Sequence, residues 1–317
     1  MQTTIKQTPL QRVFHFFLTK MIIGIGSIVL LVASIEWLRS LVLDQANLSN
    51  DVKVLLVAIV EAFVATAGYI FVFRLYEKRR IDELSISSFL NNALMGLLTG
   101  VILQSLFILL IYLGGTFLIV HVNPVSVLIS PLAFALTAGF VAEIIMIGVV
   151  FRLLEQQIGT VLSLLAFIIL FAILHVNVKG ATIISVGATA MQAGLLLPAA
   201  YVFGRNLWLP IFLHFGWDFA EPGIFGGINP SSSLSQGLFS SKIAGNSLLT
   251  GGETGPQDSM SSLLLCLILG FIFLLLAKRK NNLIKPYWQT TPTNKDIFNS
   301  NGLQDELQKN ESDSAPA

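Results

Sequence analysis

Apolar residues in this chain come in long unbroken runs, and the polar residues gather between them. A helix needs about 20 apolar residues to cross the hydrocarbon core of a bilayer. Eight segments approach or exceed that length, at 21–43, 53–75, 91–119, 127–153, 160–178, 181–204, 206–221 and 260–278. The pattern predicts an all-α fold, a polytopic bundle of about eight transmembrane helices with its polar site inside the membrane. Gly114 and Gly115 mark a place where the third span can end early. The seventh span is short, with Pro210 in its first turn, where a missing N–H costs little.

Between and beyond the runs the composition shifts. The loop 222–259 is rich in Gly and Ser and is expected to face outward. The segment 281–317 is rich in Asn, Gln, Thr, Ser and acidic residues and is expected to be disordered, because it cannot bury enough apolar surface to offset its chain entropy. This divides the chain into an N-terminal helix pair (1–84), a core (85–280) and a tail (281–317). The first run follows basic residues, as a signal peptide would. It is too long for a signal h-region and lacks a small-x-small cleavage site, so an uncleaved first span is expected.

Basic residues orient the bundle. Lys6, Arg12 and Lys20 precede the first span, Arg74, Lys78, Arg79 and Arg80 follow the second, and Arg152 ends the fourth. Arg205 lies between the sixth and seventh, and Lys278, Arg279 and Lys280 follow the last. With eight spans all of them fall on one side, which predicts an integral protein of the cell (plasma) membrane with both termini cytoplasmic. Straight spans would then put Glu143 near the inner face and His175 near the outer one.

Composition sharpens this. Of 317 residues 54% are hydrophobic and 12% charged, about half the charged share of a soluble domain. A net charge of +1 gives no reason to expect nucleic acid as a partner. Cys266 is the single cysteine and cannot form an internal disulfide.

Ionisable groups inside apolar helices are costly and by default mark function. Glu36 and Arg39 are spaced to pair on the first span, Glu61 reads as a packed carboxyl, and Asn91 and Asn92 as interhelical hydrogen-bonding groups. Glu143, His175, and the pair His214 and Asp218 lie on three different apolar segments. The last two are four residues apart and share a helix face. This set suits hydrolysis, with a carboxylate and a histidine activating water and a second histidine stabilising an oxyanion. It also suits a zinc ion held by Glu143, His175 and His214, if a metal is used, or a proton or ion path. No HExxH helix is present.

The order of a Glu-bearing helix, FAILH (Phe171 to His175) and HFGWD (His214 to Asp218) resembles the CAAX-protease and bacteriocin-processing (CPBP or Abi) family of intramembrane proteases. Its motifs are EExxxR, FxxxH and HxxxN or HxxxD. The likeness covers about residues 85–278. The first motif departs from the pattern: aligned on Gly148 and on Phe151 to Glu155, the second glutamate is Glu143, but the first is replaced by Ala142 and the arginine by Ile147. Neighbouring helix positions point about 100° apart, so Glu143 cannot take over the missing role without a rotation or shift.

The resemblance implies hydrolysis of a peptide bond in or near the membrane. Glu143 and His175 would activate water and His214 with Asp218 would bind the oxyanion, with zinc as the cofactor if one is used. The substrate implied is a membrane-associated peptide or protein, prenylated or not. The losses at 142 and 147 raise the alternative of an inactive pseudoprotease that binds a membrane peptide or partner, as in bacteriocin self-immunity. A transporter is a more remote reading, since matched Gly/Pro-broken helices are not clear.

Overall fold

The computed structural model describes residues 16–178, 180–226 and 237–289. Lys6, Arg12 and most of the expected tail lie outside them. The chain enters the bundle through α1 (Phe17–Val42), α2 (Asn50–Tyr76) and α3 (Phe89–Leu113). Helix α4 starts as Ile129–Thr137 and continues in wide π-helical turns over Ala138–Ala142 and Ile144–Phe151. Helix α5 is Arg152–His175. Helix α6 starts as Ile183–Thr189 and runs on through Ala190–Leu196 and Leu197–Gly204. Helix α7 is Trp208–Phe219, extended by a wide turn over Ala220–Phe225. A short α8 (Ser247–Thr250) precedes the last helix, α9 (Met260–Arg279).

Among the described residues six helical stretches are long and apolar enough to cross a membrane. One of them, Val125–His175, has 51 residues and bends back on itself at Gly159 (φ 76°, ψ 168°). The rings of Phe151 and Phe167 lie 5.1 Å apart, whereas a straight helix would separate them by about 24 Å. The stretch is therefore two spans, those expected at 127–153 and 160–178. The short α7 completes the expected eight. The outer surface carries exposed Ile22, Leu30 and Phe63, as a surface bathed in lipid tails should. The protein is an all-α polytopic integral membrane protein.

Two expectations change. The third helix ends at Leu113, its C-cap Gly114 followed by Gly115 at φ 71°. Beyond it the β-branched run Phe117–Val122 forms β1, antiparallel to β2 (Phe239–Ile243) from the Gly/Ser-rich loop, where residues of that kind favour an extended chain. His121 belongs to this strand pair, opposite Ser240. The tail also starts later than expected, because residues 281–289 fold back onto the Gly159 bend. Ile284 accepts a hydrogen bond from Thr160 N (3.0 Å) and donates its own N–H to Thr160 Oγ1 (2.8 Å). Asn282 donates to Phe203 O (2.9 Å).

Helix α7 sits between α3 and α4 at a separation that only glycine permits. Added Cβ atoms at Gly96 and Gly100, four apart on α3, would strike the backbone oxygens of Leu209 and Leu213. One at Gly139 of α4 would lie 2.9 Å from Ile211 O, and one at Gly216 of α7 would lie 2.6 Å from Leu97 O. Small residues at such spacing let membrane helices pack backbone to backbone. Asn92 contributes within α3, donating to Ser88 O (2.8 Å).

Basic residues from the ends of three spans, Lys20, Arg79 and Arg152, meet two glutamates in an ionic network. Glu77 Oε2 accepts from Arg79 Nε (2.6 Å) and Arg152 Nη1 (2.9 Å), and Lys20 approaches Oε1 (3.6 Å). Arg79 also donates to Glu83, whose Oε1 lies 2.6 Å from the Tyr69 hydroxyl. Arg152 Nε and the Tyr69 hydroxyl both reach Gly148 O, at 2.9 and 3.1 Å. A wide turn loosens the i→i−4 ladder, and this carbonyl is held from outside α4.

Gly159 carries the first prediction. Its φ/ψ values are open essentially to glycine alone, and an added Cβ would lie 2.7 Å from Pro286 N. Gly159→Ala is expected to lower stability by about 1–3 kcal/mol, seen as a lower melting temperature in detergent. Gly26→Ala, with open space around it, should show no such loss. Equal melting of the two variants would rule out the strained bend.

The network carries the second. Burial alone would raise the carboxyls of Glu77 and Glu83, but Arg152, Arg79 and Lys20 at the first, and Arg79 and Tyr69 at the second, hold them below the ordinary 4.5. Depressed folded values mean that the unfolded chain binds protons first as pH falls. Their stabilisation is therefore complete above about pH 4.5 and drains away as pH drops through the lower folded values. Melting temperatures measured from pH 7 to 3 should fall below that point, and less steeply in a Glu77→Gln/Glu83→Gln variant; parallel curves would contradict the assignment.

Candidate active site

Glu143 and His214 stand at matching depth, each nine residues from the basic residue at the end of its span, Arg152 and Arg205. The glycine-mediated approach of α4 and α7 brings them together, and His214 Nδ1 lies 2.7 Å from Glu143 Oε1. The other ring nitrogen, Nε2, lies 3.3 Å from Asp218 Oδ2, one turn along α7. The ring thus faces a carboxylate from each nitrogen, an arrangement satisfied when both donate. The wide turns flanking Glu143 supply the shift in facing that a regular α-helix would not.

His214 and Asp218 line a cavity of about 410 Å³ together with His175, Asp258, Thr189 and Gln192. Phe134, Leu196, Leu197 and Trp217 give it an apolar flank. His175 reaches it from the far end of α5, which is how residues expected at opposite faces come to share one space. Its Nδ1 lies 2.9 Å from Phe171 O, and its ring stacks on that of Phe171. A carbonyl only accepts, so Nδ1 carries the proton, and in the neutral ring Nε2 presents a lone pair.

Glu143 is the exception among the four expected residues. It is 3% exposed and stands behind His214 rather than on the cavity wall, because its carboxylate is turned to the Nδ1 side of that ring. It is therefore not set beside His175 to share a water, as the sequence suggested. Its second oxygen has no hydrogen-bond partner among the described residues.

The expected metal set does not assemble either. Both nitrogens of His214 face carboxylates, and Glu143 lies off the cavity that His175 lines. Among the described residues no three His, Cys, Asp or Glu side chains are grouped to hold a metal ion. Glu143, His175 and His214 do not fit a shared zinc ion.

Several polar residues of the region escaped the sequence reading. Glu221 continues the face of His214 and Asp218 at the next turn, a seven-residue spacing that was visible. It is buried and accepts from Gln104 Nε2 (3.0 Å). Asp258 gave no local signal, being one acid in a Gly/Ser-rich loop that lies far along the chain from α5 and α7.

A polytopic helical protein with two histidines and two aspartates around a cavity belongs to the class of membrane proteins with an embedded polar site. Residues 124–220 match a family model described as Rce1-like, type II CAAX prenyl endopeptidase Rce1-like. That segment, which is similar to the family, contains Glu143, His175, His214 and Asp218. No curated protein and no solved structure matches the chain.

The Glu143–His214 contact makes a stability prediction. Glu143→Ala leaves a partly buried imidazole nitrogen without its acceptor, and the cost should fall below the roughly 3–5 kcal/mol of breaking a fully buried pair. Glu143→Gln keeps an acceptor and should cost less than half as much. Melting of the purified variants in detergent measures both, and wild-type melting of the alanine variant would contradict the pairing.

Proposed function

We propose that the chain is an intramembrane endopeptidase of the CAAX prenyl protease type, hydrolysing a peptide bond of a membrane-associated peptide or protein. The observation that carries this reading is that His175 and the His214–Asp218 pair open on one cavity of about 410 Å³. A water donating to the free Nε2 of His175 is held next to the scissile carbonyl. His214 turns the N–H at Nε2, held only at 3.3 Å by Asp218, to the oxyanion of the tetrahedral intermediate, while Glu143 keeps Nδ1 protonated. Glu143 is a positioning residue for His214. The apolar flank suits an apolar side chain or a prenyl group. The one-sided gathering of basic helix ends supports cytoplasmic termini, and we assign the protein to the plasma membrane.

A pseudoprotease that binds a membrane peptide is the second reading. It is favoured by Ala142 in place of the first glutamate and by Glu143 facing away from the cavity. Hydrolysis of a fluorogenic farnesylated CAAX peptide by the purified protein separates the two. The peptidase reading expects wild-type turnover and a loss of at least about 100-fold in His175→Ala. Tight binding of the peptide without turnover, with activity appearing in Ala142→Glu/Ile147→Arg, would establish the pseudoprotease instead.

A further inference from the structure

In the peptidase reading Nε2 of His175 is the one acceptor so far placed beside the attacking water, because position 142 has no carboxylate and Glu143 is outside the cavity. Asp258 supplies a carboxylate in the right place. It ends the short turn Pro256–Asp258, immediately before the N-cap Ser259 of α9. The turn is fixed on both sides: Thr189 Oγ1 donates to Asp258 Oδ1 (3.0 Å), and Gln192 donates to Gln257 O and to Ser262 Oγ (2.7 Å). Asp258 thus lines the cavity of the candidate site from the wall formed by α6 and the start of α9, with His175, His214 and Asp218 on the others.

A second void, of about 20 Å³, is bounded by His175, Asp258, Thr189, Thr254 and Ser185. That is room for one water and no more, at a place with several polar partners. Asp258 and His175 line both this void and the larger cavity.

We propose that Asp258 is the general base of this site, sharing one water with His175 in the narrow void. The inference rests on the peptidase reading. One water hydrogen points to Nε2 of His175 and the other to the Asp258 carboxylate, which leaves an oxygen lone pair for the scissile carbonyl. As the C–O bond forms, the carbonyl π pair moves onto oxygen beside His214 and the water proton passes to Asp258. The tetrahedral intermediate then collapses, the C–N bond breaks, and the same proton goes to the departing nitrogen. Peptide and water become carboxylic acid and amine, and the enzyme returns to its starting state. Asp258 reaches the cavity from a different part of the chain than the motif glutamate it stands in for.

The test compares wild type, Asp258→Asn, Asp258→Glu and His175→Ala on the farnesylated peptide and on a peptide mixture from digested membrane proteins, with melting temperatures measured alongside. The expected result is a fall in kcat of about 100-fold or more for Asp258→Asn, with KM within about threefold and near wild-type melting, and partial recovery in Asp258→Glu. Asp258→Asn turnover within a few-fold of wild type, while His175→Ala is inactive, would overturn the role of Asp258 and leave the peptidase reading standing. A kcat loss matched by a fall in melting temperature in both Asp258 variants would also overturn it, as a structural role. A wild type silent on both substrate sets would overturn the peptidase reading and this inference with it.

Discussion

An ionised carboxylate in the apolar interior of a membrane protein must find a partner or lose its charge, and Glu143 is placed where that demand organises its neighbours. Its partner, His214, lies on another helix, so α4 and α7 must stand at matching depth and close enough for a 2.7 Å contact. Closeness comes from Gly139 on one side and Gly96, Gly100 and Gly216 on the other, each at a point where a Cβ would meet backbone. Once His214 is held at Nδ1, its other nitrogen turns to Asp218 and to the cavity. Packing and chemistry meet in that one imidazole.

The wide turns of α4 are part of the same solution. They flank Glu143 and loosen the backbone ladder as far as Phe151. The Gly148 carbonyl in that stretch is held by Tyr69 and Arg152, which belong to the ionic network at the basic end of the bundle. A charged cluster at one end of the molecule therefore supports the helix that sets His214 at its centre. Wide turns of this kind recur at functional sites, because they alter the facing of a side chain without ending the helix.

Much of this was legible in the sequence. The spans followed from unbroken apolar runs, and three of the counted basic residues, Lys20, Arg79 and Arg152, meet at Glu77. His175, His214 and Asp218 were visible as polar residues in apolar surroundings. The facing of Glu143 was not, because a regular 100° step per residue fails where the helix widens, and no single residue announces that. The pairing of Phe117–Val122 with Phe239–Ile243 was hidden because the strands are about 120 residues apart and one of them reads as the end of a span. Asp258 and the contacts of 281–289 were hidden for the same reason, being long-range contacts of irregular segments. GLLTG at Gly96 to Gly100 was legible in principle as a close-packing signature and passed unread.

The clasp of residues 281–289 on the Gly159 bend has a bearing on how the protein is made. The bend and its latch are about 125 residues apart in the chain. At roughly 5–20 residues per second, the fourth and fifth spans wait on the order of 6–25 s in the membrane before the segment that locks their turn leaves the ribosome. During that interval Thr160 N–H lacks its partner Ile284, and Arg205 lacks the Asn282 carbonyl. Insertion of the last helix thus completes the bundle and also delivers its fastener, so a nascent chain stalled short of the final segment carries every span and an unlatched centre.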